Sequence, residues 1–357
     1  MTISSGESVR AIVIGATGYV GGELLRLIVG HPFLEIGAAV SSSRAGDSIA
    51  SLYPALAPHV GDQCFATLDD ALTLIRDGGP LAVFSAAPHG ASAATIQRLM
   101  DCASEAGNRA HVVDVSADFR YATADGFAAV YGAEHAAPGL LNNFVCAVPE
   151  HLDDHGGKHI GHPGCFATAI LLATVPLYAH ALVGDDVFVS AITGSTGSGR
   201  SPSAGTHHPE RHSNLYAYKV LEHRHTPEIR NLIRNATGST ANVRFIPHSG
   251  PFARGIYATV QAPLSAAQTA EDIRSLFSEH YAASPFVRTV DGTPRLKNVV
   301  ASNYCHIGVA VQDDTVAVTC AIDNLVKGAA GGAMQWMNRL FSWPEETGLT
   351  APSPGWT

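Results

Sequence analysis

The 357-residue sequence has no CxxC pair, and Cys64, Cys102, Cys146, Cys165, Cys305 and Cys320 stand far apart. That spacing excludes a disulfide framework or a zinc ribbon and fits reduced thiols in the cytoplasm. No run approaches the ~20 apolar residues of a membrane span. The longest apolar stretch, residues 167–177, is broken by Thr168, Thr174 and Pro176, and Met1–Arg10 is polar, so neither a span nor a signal peptide is expected. Lysine is scarce: of 22 basic residues only 4 are Lys, against 31 acidic residues, for a net charge of −9. This balance argues against a general nucleic-acid or acidic-membrane surface. Any anionic substrate must be held by a few placed cations, and arginine is the better bidentate clamp.

Hydrophobic residues at 46% and charged residues at 15% exclude a disordered chain and allow a large core. The length fits two domains at ~100–200 residues each. Residues 10–14 read as a buried strand, 22–29 as a helix with Leu24, Leu25 and Ile28 on one face, and 34–40 as a second strand. Further strands are expected at 81–85 and 111–115, with a helix over 91–106 between them. This alternation predicts an α/β, Rossmann-type parallel sheet covered by helices. From about Gly184 the texture changes. Residues 186–193, 241–247, 256–263, 304–311 and 315–323 read as Val- and Thr-rich strands, which predicts an α+β domain with a mixed or antiparallel sheet. Residues 324–341 read as a closing helix.

Gly15, Gly18 and Gly21 follow the first strand and open the first helix, a variant of GxGxxG. A turn without side chains lets backbone N–H groups approach a pyrophosphate, and the helix end adds favourable partial charge. The alternative is a glycine-rich βα turn with no ligand. The second strand runs into Ser41, Ser42, Ser43 and Arg44 where an NAD site would place a carboxylate. Hydroxyls and a guanidinium suit a 2′-phosphate, so NADP(H) is favoured, unless these residues are simply an exposed loop. Residues 194–201 (GSTGSGRS) nearly match a nucleoside-triphosphate loop, but Arg200 replaces its lysine and Pro202 opposes the helix that should follow. A glycine-rich loop holding a substrate phosphate, around Ser195 and Arg200, fits better.

His162-Pro163-Gly164-Cys165 leads into a helical pattern, which puts Cys165 at a helix N-terminus where thiolate is favoured. Pro176 is expected to end or kink that helix. Buried cysteines are more often packing residues than nucleophiles, and that reading is kept for the other five. The densest group of candidate proton partners is His223 and His225, with Thr226 as the helix cap, Pro227 in the first turn and Glu228 placed to orient an imidazole. A positive helix end keeps these imidazoles neutral and available as bases. His207, His208, His212, His223 and His225 form a rival metal set. They lack cysteine or carboxylate ligands at standard spacing, so no metal is expected.

Together the segments GATGYVG (15–21), APHG (87–90), VDVSADFR (113–120), HPGC (162–165), HRHTPE (223–228), PFARG (251–255), SNYC (302–305) and IDNLVKG (322–328) resemble the N-acetyl-gamma-glutamyl-phosphate reductases of arginine biosynthesis. The resemblance covers nearly the whole chain. It implies an NADP-binding domain over residues 1–160, a catalytic and dimerisation domain over 161–323, and a C-terminal segment, 324–357, returning to the first. It further implies reduction of an acyl phosphate to a semialdehyde through a Cys165 thioester in the cytoplasm. His223 is the preferred acid/base and His225 the alternative. Thr17, Tyr19 and Val20 join the glycine turn on the cofactor, with Pro88, His89, Gly90 and Asn324 along it. Arg120, Tyr218 and Arg254 are implied substrate contacts, and a homo-oligomer is implied as well. Residues 203–219, with THHPERHSN, also resemble the reductase that acts on carrier-protein-linked aminoadipyl phosphate in lysine biosynthesis; the two substrates differ by about one methylene, worth only ~1–3 kcal/mol of discrimination. A carrier protein is a partner only under that alternative. Rivals of another class are a phosphotransferase using the 194–201 loop and a non-catalytic NADP-binding sensor.

Overall fold

The computed structural model describes residues 8–355; residues 1–7, most of the polar start, and residues 356–357 lie outside it. The chain divides into two compact units. One comprises Met1–Cys146, His155–His162 and Ala333–Leu349, the other Ala147–Asp154, Pro163–Gly332 and Thr350–Thr357.

In the first unit, β1 (Val9–Ile14), β2 (Leu34–Val40), β3 (Leu81–Ser85), β4 (Ala110–Asp114), β5 (Phe144–Cys146) and β6 (His159–Gly161) form a sheet in the order β2-β1-β3-β4-β6-β5, with every neighbouring pair parallel. All five residues of β3 are buried, as a strand covered on both faces requires. The Tyr19–Ile28 helix buries Leu24, Leu25, Leu27 and Ile28, and the Ser92–Glu105 helix buries Ala93, Ile96, Leu99 and Cys102. A helix at Leu68–Arg76, which periodicity did not reveal, starts from a reciprocal cap: Thr67 Oγ1 accepts from the Asp70 amide, and Asp70 accepts from the Thr67 amide. The chain leaves β1 for β2 on one side and reaches β3 on the other, so the turn after β1 lies at the point where strand order reverses.

The second unit holds β7 (Asp186–Thr193), β8 (Tyr216–Ala217), β9 (Asn242–Ser249), β10 (Ile256–Pro263), β11 (Val287–Thr289), β12 (Cys305–Gln312) and β13 (Thr315–Ile322) in the order β11-β12-β13-β10-β7-β9-β8. Only β11/β12 and β7/β9 are parallel among its pairs, so the sheet is mixed, as expected. The Cys165–Ala179 helix packs on β10, β13 and the His225–Thr237 helix. It is buried all round from Phe166 to Tyr178, which explains a pattern with no polar face.

Three sequence expectations change in whole or in part. Of the end or kink expected at Pro176, the end does not occur, and the helix continues to Ala179. Proline cannot donate to the Leu172 carbonyl four residues earlier, and the Tyr281 hydroxyl donates to it instead at 2.8 Å. Residues 324–341 are not one regular helix. Asp323 Oδ1 accepts from the amides of Leu325 and Val326 at 2.7 and 2.9 Å, a π-turn covers Val326–Ala330, and a regular helix runs only over Gly331–Leu340. Thr226 does not cap the second helix, which starts at His225. Arg224 is the N-cap, and His223, one residue ahead of it, takes up the first amides: its Nδ1 accepts from the His225 amide at 3.1 Å and its carbonyl from the Thr226 amide at 2.9 Å. Pro227 still falls in the first turn, where a missing N–H costs nothing.

Replacing Tyr281 with Phe strands the Leu172 carbonyl and is expected to cost about 1–3 kcal/mol in urea unfolding. Adding Pro176→Ala restores the helical donor and should recover part of that loss. Equal stability of the single and double variants would show that the hydroxyl does not replace the missing bond.

Candidate active site

On the first unit the glycine turn is shaped by close approach. Gly15 has φ +72°, and a Cβ there would lie 2.5 Å from the Ala86 carbonyl oxygen. A Cβ on Gly21 would lie 2.7 Å from the Ala16 Cα, so the helix can close onto the turn only without a side chain. Gly18 is the N-cap, followed by Tyr19, Val20 and Gly21, whose amides occupy the first helical turn. The Tyr53 hydroxyl braces this turn, 3.0 and 2.9 Å from the carbonyl oxygens of Ala16 and Gly18. Nothing in the sequence pattern singled out Tyr53.

Ser41 is buried, and its Oγ accepts from the Arg44 amide at 3.2 Å and lies 3.4 Å from Thr17 Oγ1. It organises the loop after β2, while Ser42, Ser43 and Arg44 are exposed. Arg44 reaches the exposed Asp47 at 3.4 Å, a solvated pair of small energetic weight. Pro88, His89 and Gly90 follow β3, with Gly90 at φ +83°. Their loop is fixed by the VDVSADFR segment. Asp118 accepts from the amides of Gly90 (2.7 Å) and Ala93 (3.0 Å), and His89 Nδ1 accepts from the Ala117 amide (3.0 Å). Asp114 accepts from the hydroxyls of Ser92 and Ser116, both at 2.7 Å, while burial pushes its pKa up. Arg120 is buried and spends Nε on the His162 carbonyl and Nη2 on that of Val115, each at 2.9 Å. This motif therefore acts largely as scaffold, a role its residue types alone did not separate from substrate contact.

On the second unit Cys165 is the first residue of its helix, with Gly164 as N-cap. The thiol turn is enclosed where side chains are missing. A Cβ on Gly328 would lie 2.7 Å from that of Cys165, and one on Gly164 would overlap the His225 imidazole. Glu228, almost fully buried, accepts from the Gly164 amide at 2.7 Å and so positions the turn. The His223 and His225 rings lie 4.7 Å apart in an edge-on pair, and the Tyr218 ring is 5.8 Å from that of His223. Burial, then Arg224 and Lys219, lower the His223 pKa to about 4. With Nδ1 accepting from the His225 amide, the neutral ring carries its proton on Nε2. Burial first, then Cys165, push the Tyr218 pKa up.

Much of the backbone of the loop expected to cradle phosphate is engaged within the fold. The amides of Ser195, Thr196, Gly197 and Gly199 donate to carbonyls of Phe252, Ala253, Gly194 and Thr196. Arg254 forms a fork on Asp323, Nε to Oδ2 at 3.0 Å and Nη2 to Oδ1 at 3.2 Å. Asn324 is buried and ties two turns together, accepting from the Gly255 amide at 2.7 Å and donating to Thr196 Oγ1 at 3.0 Å. Arg200 lies at the exposed end of the loop. Among the described residues no three His, Cys, Asp or Glu side chains are grouped to hold a metal ion, and no helix is long and apolar enough to cross a membrane.

A parallel sheet with a glycine turn, joined in one chain to a mixed-sheet unit, fits the two-domain make-up of the semialdehyde dehydrogenases. The model of the semialdehyde dehydrogenase NAD binding domain matches residues 10–156, and that of the dimerisation domain matches residues 165–324. Aspartate semialdehyde dehydrogenase II of Vibrio cholerae shares the fold, with a TM-score of 0.69 at 14% identity over 94% of this chain and 99% of that one. The enzyme of Candida albicans, solved with NADP, gives 0.64 at 16% over 94% and 99%. Much nearer in sequence are N-acetyl-gamma-glutamyl-phosphate reductases. That of Symbiobacterium thermophilum is 39% identical over 97% of this chain and 99% of its own, and that of Pseudomonas aeruginosa 38% over 96% and 98%. The chain belongs to the N-acetyl-gamma-glutamyl-phosphate reductase family.

Burial is the leading cause that lowers His111, His159 and His223 to about 4 and His151 to about 3, from an ordinary 6.5. As pH falls below 6.5 the unfolded chain takes up protons that these buried rings refuse. Stability should therefore be full above that pH and drop by roughly 2 kcal/mol or more on the way to pH 4.5, read as a falling urea midpoint. A flat midpoint across this window would show that the rings are not held neutral.

Proposed function

We propose that the chain reduces N-acetyl-gamma-glutamyl phosphate to N-acetylglutamate 5-semialdehyde and phosphate, using NADPH. The observation that carries this reading is Cys165 at the start of a buried helix, seated on Gly328, with an imidazole packed against the residue before it. A nucleophile so placed splits one hard reduction into two covalent steps.

The glycine turn fits a dinucleotide, since the positive φ of Gly15 and the lack of room at Gly21 leave bare backbone beside the first turn of the helix. Gly15, Thr17, Gly18, Tyr19, Val20 and Gly21 would hold the pyrophosphate. Ser42, Ser43 and Arg44, on a loop organised by Ser41, would meet a 2′-phosphate, and Pro88, His89 and Gly90 would serve the nicotinamide end. A dinucleotide held by these residues would supply the hydride.

Cys165 thiolate, favoured by the helix N-terminus, attacks the acyl carbonyl; the bond to phosphate breaks and a thioester remains. Once that carbon is reduced, the C–S bond breaks, the aldehyde leaves and the thiolate returns. Proton exchange at the oxygen is assigned to His225, which packs on Gly164. His223, the sequence's first choice, is better suited to donate a hydrogen bond from Nε2, because its Nδ1 is occupied and burial keeps it neutral. The match to a dimerisation domain supports a homo-oligomer, and six cysteines without paired spacing support a cytoplasmic setting.

The test is the reverse reaction, NADPH formation from N-acetylglutamate semialdehyde, NADP and phosphate, beside the aminoadipate analogue. Cys165→Ser should keep NADP binding and lose about 10³-fold or more of turnover. His225→Gln should flatten the pH profile of kcat, while His223→Gln should lower kcat without moving the profile. Full activity of the serine variant would refute the thioester, and faster turnover of the aminoadipate analogue would reassign the substrate.

A further inference from the structure

Arg211 is a buried cation whose donors are not used up. It ends the short His208–Arg211 helix and is only 7% exposed. Its Nη2 donates to the Gly250 carbonyl, but Nε and Nη1 have no acceptor among the described residues. A guanidinium is always charged, and leaving its N–H groups unmatched out of water is costly, so the site calls for an anion.

The backbone around it leads to the thiol site. The Gly250 amide donates to the Thr193 carbonyl at 2.8 Å, where the Gly194–Gly199 loop begins. β8 pairs Tyr216 with Ser249 and Ala217 with His248, and the Tyr218 amide donates to Pro247 at 3.1 Å, which sets Tyr218 beside the same turn. The Tyr218 ring lies 5.8 Å from that of His223, the His223 ring 4.7 Å from that of His225, and His225 packs on Gly164, the residue before Cys165. Of the other arginines considered for substrate, Arg120 has Nε and Nη2 on two carbonyls, Arg254 has the same pair on Asp323, and Arg200 is exposed.

We propose that Arg211 anchors the α-carboxylate of the acyl chain carried on Cys165, through its Nε–H and Nη1–H groups. This rests on the reductase reading above. The substrate carries two anions, and they differ in fate. Phosphate departs when the thioester forms, whereas the carboxylate keeps its charge from substrate to semialdehyde. A buried guanidinium tethered to a backbone carbonyl matches the charge that stays. It also distinguishes this chain's substrate from an aldehyde of equal length without the acid group, because a binder that loses its charged partner is left with unpaired buried donors.

The experiment compares wild type, Arg211→Met and Arg211→Lys in the reverse reaction, with N-acetylglutamate semialdehyde, phosphate and NADP varied in turn. A second aldehyde, 4-acetamidobutanal, lacks the carboxylate. The methionine variant should raise KM for the carboxylated aldehyde about 10- to 100-fold, with KM for phosphate and NADP unchanged, and should lose preference over 4-acetamidobutanal. The lysine variant should recover part of both. A rise confined to the phosphate KM would overturn the anchor. So would a wild type that accepts both aldehydes equally, a result that stands even where the methionine variant fails to fold. Wild-type protein inert toward the semialdehyde would sink the reductase reading and the anchor with it, whereas an active wild type whose preference survives in R211M would sink the anchor alone.

Discussion

The thiol turn depends on the absence of two side chains. Gly328 lets the π-turn after β13 come within contact of Cys165, and Gly164 leaves space that the His225 ring fills. Beside those closed surfaces, Glu228 holds the Gly164 amide, and Cys165 starts its helix directly after it. Reactivity here begins as packing. The helix end favours thiolate through partial charges that fall off within a turn, so the sulfur has to be at the first position, and close backbone approach on either side is what fixes it there.

The same economy explains His223. A helix start leaves amides without internal partners. Here a histidine rather than a serine or threonine supplies the acceptor, and the choice has a chemical effect that a hydroxyl cap would lack. Donation into Nδ1 fixes the tautomer, and burial keeps the ring neutral. The residue just ahead of the helix is thereby left with its proton on Nε2.

Much of this was legible in the sequence. Periodicity located nine of the thirteen strands within a residue or two and missed the short β5, β6, β8 and β11, while glycine spacing located the turn after β1, because those signals come from neighbours in the chain. What failed to show came from elsewhere. The helix ran through Pro176 because Tyr281, over a hundred residues later, replaces the lost donor. The carbonyl partners of Arg120 and the carboxylate partner of Arg254 are set by tertiary contact, which residue type alone does not show. The glycine loop at 194–199 had the composition of an anion cradle, but its amides donate to the chain. Residue type indicates what a group is able to bind; only the fold shows whether it is already bound.

The distinction matters most for the few cations of an acidic chain. Lys327 is fully buried against Glu150 at 2.6 Å, beside the Phe286 ring. Arg254 is locked on Asp323, whose oxygens also accept the amides of Ala301, Leu325 and Val326. Those charges are neutralised inside the fold and hold turns in place, and removing either partner would strand the other in a dry interior. Arg211 differs because its only partner among the described residues is a carbonyl, which leaves its charge uncancelled. An unpaired buried guanidinium weakens the folded state unless its free energy is recovered when something binds. That asymmetry between neutralised and unneutralised cations separates residues that shape the site from one that awaits a ligand.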